Sequence, residues 1–461
     1  MQAQRNGDIS FWYADIGGTP KPRAPLPGNT EVDVAIVGAG YTGLWTAYYL
    51  KQAQPDLRIA VLEREWAGFG ASGRNGGWLS GGFGWSREKY LKTSTRHAVK
   101  DMQKAMAGTV DEVIRVAEHE GIDADIRRVG NLTVATNQPQ LARARDEFAG
   151  IREWDFDPAR IQWLDQAAFS ARINVKNALG GYVINGQARV QPAKLVQGLA
   201  KAVERLGVPI YEQTAVTKIE PGVVSTTRGT VRAETIIRAT EGFTAGIPGE
   251  ERTWLALNSA QIVTEPVPDA LWKEIGWEGH ELLGDTAHAY CYAQRTREGR
   301  ITMGGRGVPY RFNSRTDVNG QTQDATIQSL HAILTRLLPQ VAHLRIDHAW
   351  CGVLGVPRDW CTTVGLDPKT RIGWAGGYVG LGVSSSNLSG RTLTDLILNR
   401  DTDLVRLPWV NRKVRPWEPE PFRWLGVHAM YRLYRMADER EEKGLPRSSK
   451  LAAFADRLTG H

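Results

Sequence analysis

The run Val32-Asp33-Val34-Ala35-Ile36-Val37 leads straight into Gly38-Ala39-Gly40-Tyr41-Thr42-Gly43, and after residues 44–54 and Pro55 comes Arg58-Ile59-Ala60-Val61-Leu62-Glu63. Short apolar runs rich in β-branched residues have the look of strands buried in a parallel sheet. Residues 44–54 carry a helical periodicity that Pro55 ends. Strand, glycine turn, helix and strand make a βαβ unit, which implies a parallel sheet.

The turn reads Gly-x-Gly-x-x-Gly, with Glu63 standing 20 residues beyond its last glycine at the end of the next strand. In that setting the first glycine permits the tight turn and the second lets backbone approach a pyrophosphate. The third lets helix and strand pack closely. The helix N-terminus then faces phosphate oxygens with unpaired N–H groups and the positive end of its dipole. Glu63 is placed to accept ribose hydroxyls, and no arginine replaces it to hold a 2′-phosphate. A dinucleotide site is expected at Gly38, Gly40, Tyr41, Thr42 and Gly43, with Glu63 and its neighbour Arg64.

Two further stretches favour FAD over a nicotinamide dinucleotide. Gly68-Phe69-Gly70-Ala71-Ser72-Gly73-Arg74-Asn75-Gly76-Gly77 follows the second strand directly, and side chains so small let backbone amides reach a bulky polar ligand. Near the other end of the chain, Gly376-Gly377-Tyr378-Val379-Gly380-Leu381-Gly382 precedes a helix. Its amides suit a flavin pyrimidine oxygen that becomes negative on reduction.

The chain has 461 residues, 42% of them hydrophobic and 23% charged, which fits a globular protein of at least two structural units. Lys and Arg number 57 against 50 Asp and Glu, a net charge of +7 that is thin for this length. The densest basic stretch, Arg412-Lys413-Val414-Arg415, is too short for a dedicated nucleic-acid surface, so no such partner is expected. Cys291, Cys351 and Cys361 form no CxxC pair and no histidines cluster at ligand spacing, so no metal is expected. The polar N-terminus lacks a signal-peptide core, and no long apolar run suggests an integral membrane segment; a cytoplasmic location is expected.

Residues 1–30, rich in Pro, Gly and polar groups, read as an arm lying on the surface. Helices are expected at 88–120, 139–153, 193–206, 322–338, 388–399 and 425–436. Strands are expected at 129–136, 208–219, 233–239, 258–264, 289–294, 300–304 and 371–375. The picture is an α/β domain interrupted by insertions of mixed α+β character.

The motifs GAGYTG, VLE, GFGASGRNGG, Gln191-Pro192 with its helix, YEQTAVTKI and GGYVGLGVSSSNLSGR, in this order over residues 30–400, resemble the D-amino-acid oxidase (DAO) superfamily of FAD-dependent oxidoreductases. Within it the chain resembles in particular the γ-glutamylputrescine oxidase-like proteins. The resemblance implies a Rossmann-like FAD-binding domain built from discontinuous segments, 31–90, 190–253 and 346–400. An α+β substrate domain with a mixed or antiparallel sheet would comprise 91–189 and 254–345, leaving a C-terminal extension at 401–461. It implies that Gly38, Gly40, Gly43 and Glu63 hold the ADP half, and that Gly70, Ala71, Ser72, Arg74, Asn75, Gly76, Gly77 and Trp78 line pyrophosphate and flavin. Val216 would meet adenine, Gly380, Leu381, Gly382 and Val383 the flavin ring, and Ala239, Thr240 and Gly377 complete the cofactor set. Leu381 stands where γ-glutamylputrescine oxidases have a His in GHG, and Trp78 where they have a Gln. The Lys that sarcosine oxidases carry near the position of Ser384 is absent. These departures touch substrate choice and oxygen reactivity, not the cofactor.

The family reaction is hydride transfer from the carbon bearing an amine to the flavin, giving an imine that hydrolyses, with O2 as acceptor and H2O2 as product. A dehydrogenase using another acceptor, or a flavin-binding module without catalysis, are the alternatives. On the substrate side, Arg306 after residues 301–305 either pairs with a substrate carboxylate or with a structural one. Tyr290 and Tyr292 alternate with Cys291 on a strand and share a face, lining the pocket or packing the core. Trp78 and Trp85 flank a glycine-rich loop, where indoles box in a cationic amine or pack the loop down. Cys351 stands six residues before Pro357, as does the cysteine of sarcosine oxidases that carries covalent flavin; non-covalent FAD is expected here.

Overall fold

The computed structural model describes residues 2–82, 87–154, 157–305, 310–316, 319–449 and 451–452. Its first sheet grows around Thr30–Val37, in which Val34, Ala35, Ile36 and Val37 are all buried. Ile59–Leu62 pairs with this strand in parallel on one side and Gly229–Arg238 in parallel on the other. Ile210–Tyr211 and Ile372–Gly376 extend the parallel row at either end. Strands from far-separated parts of the chain thus share one sheet, as buried apolar runs flanked by helices favour.

The helices among the described residues are α1 (Phe11–Asp15), α2 (Tyr41–Ala53), α3 (Arg87–Leu91), α4 (Arg96–His119), α5 (Gln138–Glu153) and α6 (Gln166–Ser170). They continue with α7 (Pro192–Arg205), α8 (Asp269–Ile275), α9 (Asp324–Leu337), α10 (Gly382–Ile397) and α11 (Phe422–Glu442). α2, α4, α7 and α10 share one core with Ile36, Ile59 and Val61 of the parallel sheet. Gly390 lets α10 seat on α2, since a Cβ there would lie 2.8 Å from Trp45 Cβ.

The second sheet has ten strands among the described residues. Leu255–Thr264, Ile301–Gly305 and Cys291–Arg295 run antiparallel, while Leu282–Asp285 lies parallel to Arg127–Ala135, so the sheet is mixed. Ala260, Ile262, Leu283 and Ala293 bury one face of it against α8 and α9. Gly180–Arg189 and Ile346–Val356, which the sequence reading passes over, are long strands of this sheet. The expected helix 88–120 is two helices, α3 and α4, and α10 starts at Gly382 rather than at residue 388. α11 runs on past the expected end at 436 and so includes Asp438, Glu439, Glu441 and Glu442. No helix among the described residues is long and apolar enough to cross a membrane.

Residues 1–30 lie on the surface only in part: most of residues 14–25 are exposed, but Ile9 to Tyr13 turn inward. Phe11, Trp12 and Tyr13 are 7%, 2% and 1% exposed, because an aromatic run gains more from burial than a polar arm loses. Trp12 Nε1 donates to Asn75 O at 2.7 Å, and Arg5–Asn6 pairs in parallel with Ile346–Val356. Farther along, Arg23 donates to the fully buried carboxylate of Glu212 at 2.8 Å and to Glu204 at 2.7 Å. Arg23→Ala leaves the Glu212 charge buried without its guanidinium and is expected to cost about 3 kcal/mol. Urea unfolding checks this; a loss under about 1 kcal/mol would mean that aromatic burial alone holds the arm.

Candidate functional site

Three glycines shape the start of α2, each for a different steric reason. Gly38 has φ +106° and a Cβ on it would lie 2.6 Å from Ala239 O. A Cβ on Gly43 would overlap Gly38 O, so only glycine lets the helix close back on the strand. Gly40 is extended and gives α2 no side-chain cap, which leaves N–H groups of the first turn facing outward. Tyr41 N donates to Ser72 Oγ at 2.8 Å, tying this turn to the Ala71–Gly73 helical turn.

In front of the turn lies a cavity with an empty volume of about 1230 Å³, part of it open to solvent. Gly38, Gly40, Tyr41 and Thr42 form one wall with Glu63 and Arg64. Gly70, Ala71, Ser72 and Asn75 form a second, and Val216, Ala239 and Thr240 a third. Gly380, Gly382 and Val383, where α10 begins, close the far end. Thr42 Oγ1 and Tyr378 OH share a hydrogen bond of 2.8 Å that joins the two ends of the chain across the cavity.

Other expected residues stand off the wall. Gly43 packs as described, and Arg74 is a buried structural arginine: its Nε donates to Phe69 O at 2.7 Å and its guanidinium lies 4.5 Å from the Phe69 ring centroid. A Cβ on Gly76 would lie 2.7 Å from the Tyr292 ring, one on Gly77 would overlap Gln294, and one on Gly377 would overlap Pro357. Trp78 packs edge-on to Tyr292 at 6.1 Å, and its buried Nε1 has no hydrogen-bond partner among the described residues. Leu381 is the uncapped N-cap of α10.

Tyr290 and Tyr292 do not share a strand face. The strand starts at Cys291, leaving Tyr290 ahead of it and 38% exposed, because Asp285 accepts from Cys291 N at 3.0 Å and turns the chain there. The Tyr290 hydroxyl stands 3.7 Å from where a Cβ on Gly380 would lie. Tyr292 is inside, bonded to Ser259 Oγ at 3.0 Å and lying over Gly304. Arg306 and Trp85 lie outside the described residues. The Cys351 thiol is buried, off the cavity wall, and donates to Gln321 O at 3.1 Å.

Charge is concentrated at two carboxyls. Glu63 Oε2 accepts from Ala39 N at 2.9 Å and Oε1 from Glu65 N at 3.0 Å, while burial pushes its pKa up. Glu241, a wall residue the sequence reading missed, accepts from Tyr378 N at 3.2 Å and Gly377 N at 3.4 Å. Burial pushes its carboxyl up to about 7, against those N–H bonds and the nearby Arg238. Its place, directly after Ala239-Thr240 at the carboxyl end of a parallel strand, is the signal that marks it. His288, Asp438 and Glu441 also come together at metal-ligand distances, but Arg143 and backbone N–H groups occupy the two carboxylates.

Two uncapped helix N-termini facing one cavity, with a carboxylate at its rim, suit a long ligand with a phosphate group, a ribose and a polar ring. FAD has these parts, and the glycine cradles leave its room unfilled.

A family model described as "FAD dependent oxidoreductase" (DAO) matches residues 33–396. Gamma-glutamylputrescine oxidoreductase of Escherichia coli K12 is 28% identical over 401 residues, covering 84% of this chain and 88% of that protein. Glycine oxidase of Geobacillus kaustophilus is 25% identical over 391 residues, covering 82% of this chain and 96% of that one. The crystal structure of glycine oxidase from Geobacillus kaustophilus superposes with a TM-score of 0.69 at 21% identity, over 83% of this chain and 100% of that one. With a glycine-turn strand pair, a mixed second sheet and the family match over most of its length, the chain belongs to the DAO family of FAD-dependent oxidoreductases.

Proposed function

We propose that the chain holds FAD non-covalently across this cavity and oxidises the C–N bond of a small amine or amino acid, with O2 as acceptor and H2O2 as product. The observation that carries this reading is the meeting of α2 and α10, two helices from opposite ends of the chain with uncapped N-termini, around one cavity. The names of the Escherichia coli and Geobacillus relatives, a γ-glutamylputrescine oxidoreductase and a glycine oxidase, support an amine or amino-acid substrate. The FAD-binding part would be 31–90, 190–253 and 346–400, and the substrate part 91–189 and 254–345, except that Ile346–Val356 pairs with Leu255–Thr264 and so goes with the sheet of the substrate part.

Gly38, Gly40, Tyr41 and Thr42 would take the pyrophosphate with Ser72 and Asn75, and Glu63 the ribose hydroxyls. Val216 would lie against adenine, and the first amides of α10, at Gly382 and Val383, would meet the pyrimidine oxygen. That Cys351 lies off the cavity wall and donates to Gln321 O supports a non-covalent flavin. Bound FAD supplies the acceptor for a hydride from the carbon that bears nitrogen. The protein orients that C–H bond and keeps the amine uncharged in a dry site. Trp78, Tyr292 and Leu381 would form the apolar side of that site, and water then hydrolyses the released imine. Three buried free thiols suit action in a reducing compartment, the cytoplasm.

Anaerobic addition of amines, N-methyl amines, amino acids and γ-glutamyl amines should bleach the flavin band with one of these classes, and air should restore the colour. Bound flavin that no amine bleaches would overturn the substrate reading; colour that returns only with another acceptor would make the enzyme a dehydrogenase. A second expectation concerns Glu241, whose folded pKa of about 7 lies above the usual carboxyl value. A raised carboxyl pKa weakens the fold as pH rises from the unfolded value through the folded one. Glu241→Gln should therefore gain about 2–3 kcal/mol relative to the parent between pH 5 and pH 8 in urea unfolding. Parallel curves would show that the carboxyl titrates normally.

A further inference from the structure

α11 lies beyond the stretch matched by the family, which ends at residue 396. Arg423, Val427, Tyr434, Ala437 and Glu441 are spaced four, seven, three and four residues apart, which puts them on one side of the helix, and all are buried, so one stripe of this helix faces the protein. Near its start, Val427 packs in a cluster with Leu257, Tyr310 and Val379, the last from the glycine loop ahead of α10. Near its end, the helix grips the segment between Leu282–Asp285 and Cys291–Arg295. Asp438 accepts from His288 N at 2.9 Å with one oxygen and from Ala289 N at 2.8 Å with the other. Glu441, with its side chain 1% exposed, accepts from Arg143 at 2.7 Å and from Ser449 N at 3.1 Å, and lies 3.0 Å from His288 Nε2. The His288 ring stacks on Tyr434 at 6.1 Å, and Arg143 Nε holds Thr286 O at 2.7 Å from the other side. The next residue but one after His288 is Tyr290, with its hydroxyl opposite Gly380.

We propose that Asp438 and Glu441 are positioning residues for the substrate pocket. Through His288 and Ala289 they fix where Tyr290 stands at the α10 end of the cavity, so that the chain beyond the family match takes part in choosing the substrate. This rests on the reading that substrate meets the flavin at that end. Two N–H groups of consecutive residues on one carboxylate leave the loop little freedom. Without that grip, substrate binding must itself order the loop, which weakens binding and leaves the chemistry in the bound state intact.

The test uses the full-length holoenzyme with Asp438→Asn and Glu441→Gln, and Glu439→Gln on the exposed face as control. Amide exchange at 286–291 should quicken by about tenfold or more in Asp438→Asn, while the amides of α2 and α10 keep their protection. For an amine that the parent oxidises, KM should rise about tenfold with kcat within about threefold, and flavin content should be unchanged. In a Tyr290→Ala background, Asp438→Asn should raise KM by less than about twofold, since its effect runs through that residue. If Glu441→Gln fails to fold, Asp438→Asn decides alone. Unchanged exchange, unchanged KM, or effects that multiply in full in the Tyr290→Ala background would each overturn the proposal. If the parent oxidises no amine, the functional reading falls instead, and the exchange result still decides whether the helix holds the loop.

Discussion

The contact between the missing side chain of Gly43 and the carbonyl of Gly38 governs the rest of the architecture. Because nothing projects from Gly43, α2 can begin within van der Waals reach of the strand it leaves, and its first turn points along the cavity. A Cβ at that position would push the helix away from the strand. The Tyr41 N to Ser72 Oγ bond and the Thr42–Tyr378 bond would then lose their geometry together. The lining of the cavity comes from residues 37–75, 214–247, 353–354 and 378–386, and those two bonds register the glycine turn to the loop after it and to the stretch that opens α10.

Around that constraint the molecule adds layers that the family pattern does not require. At the front, Phe11, Trp12 and Tyr13 insert beside the loop of residues 68–77, and Trp12 and Ser10 donate to the carbonyls of Asn75 and Gly73. The N-terminal segment therefore braces the cradle from behind. At the back, α11 joins the glycine loop before α10 to the segment that carries Tyr290. Both additions work on backbone groups of loops. Loops carry most of their unpaired polar atoms there, and fixing them costs chain entropy that a separate element can offset.

The parallel sheet, its glycine turn and the carboxylate at residue 63 were legible because their physics is local: a buried β-branched run, a forbidden Cβ and a strand end. Gly180–Arg189 was not legible, since Gly180, Gly181 and Gly186 break the alternation that marks a strand. The neighbouring strand is what demands glycine, as a Cβ on Gly181 would overlap Thr133 O. Ile346–Val356 was hidden in the same way, with Asp347 and His348 serving Arg300 and Gly7 rather than solvent. In the site, Glu241 escaped notice although Ala239 and Thr240 just before it were assigned, because the N–H groups it accepts from, at Gly377 and Tyr378, come from a distant part of the chain. Tyr290 was misplaced by a single residue, since a side chain, Asp285, decides where that strand starts.

The claim on which everything else rests is that FAD lies in this cavity, held by hydrogen bonds and burial alone. The most direct measurement is to purify the protein, release its cofactor by heat, and identify and count the flavin in supernatant and precipitate. FAD, one per chain, is expected wholly in the supernatant. A colourless protein that takes up no FAD would contradict it, and so would flavin that stays with the precipitated chain.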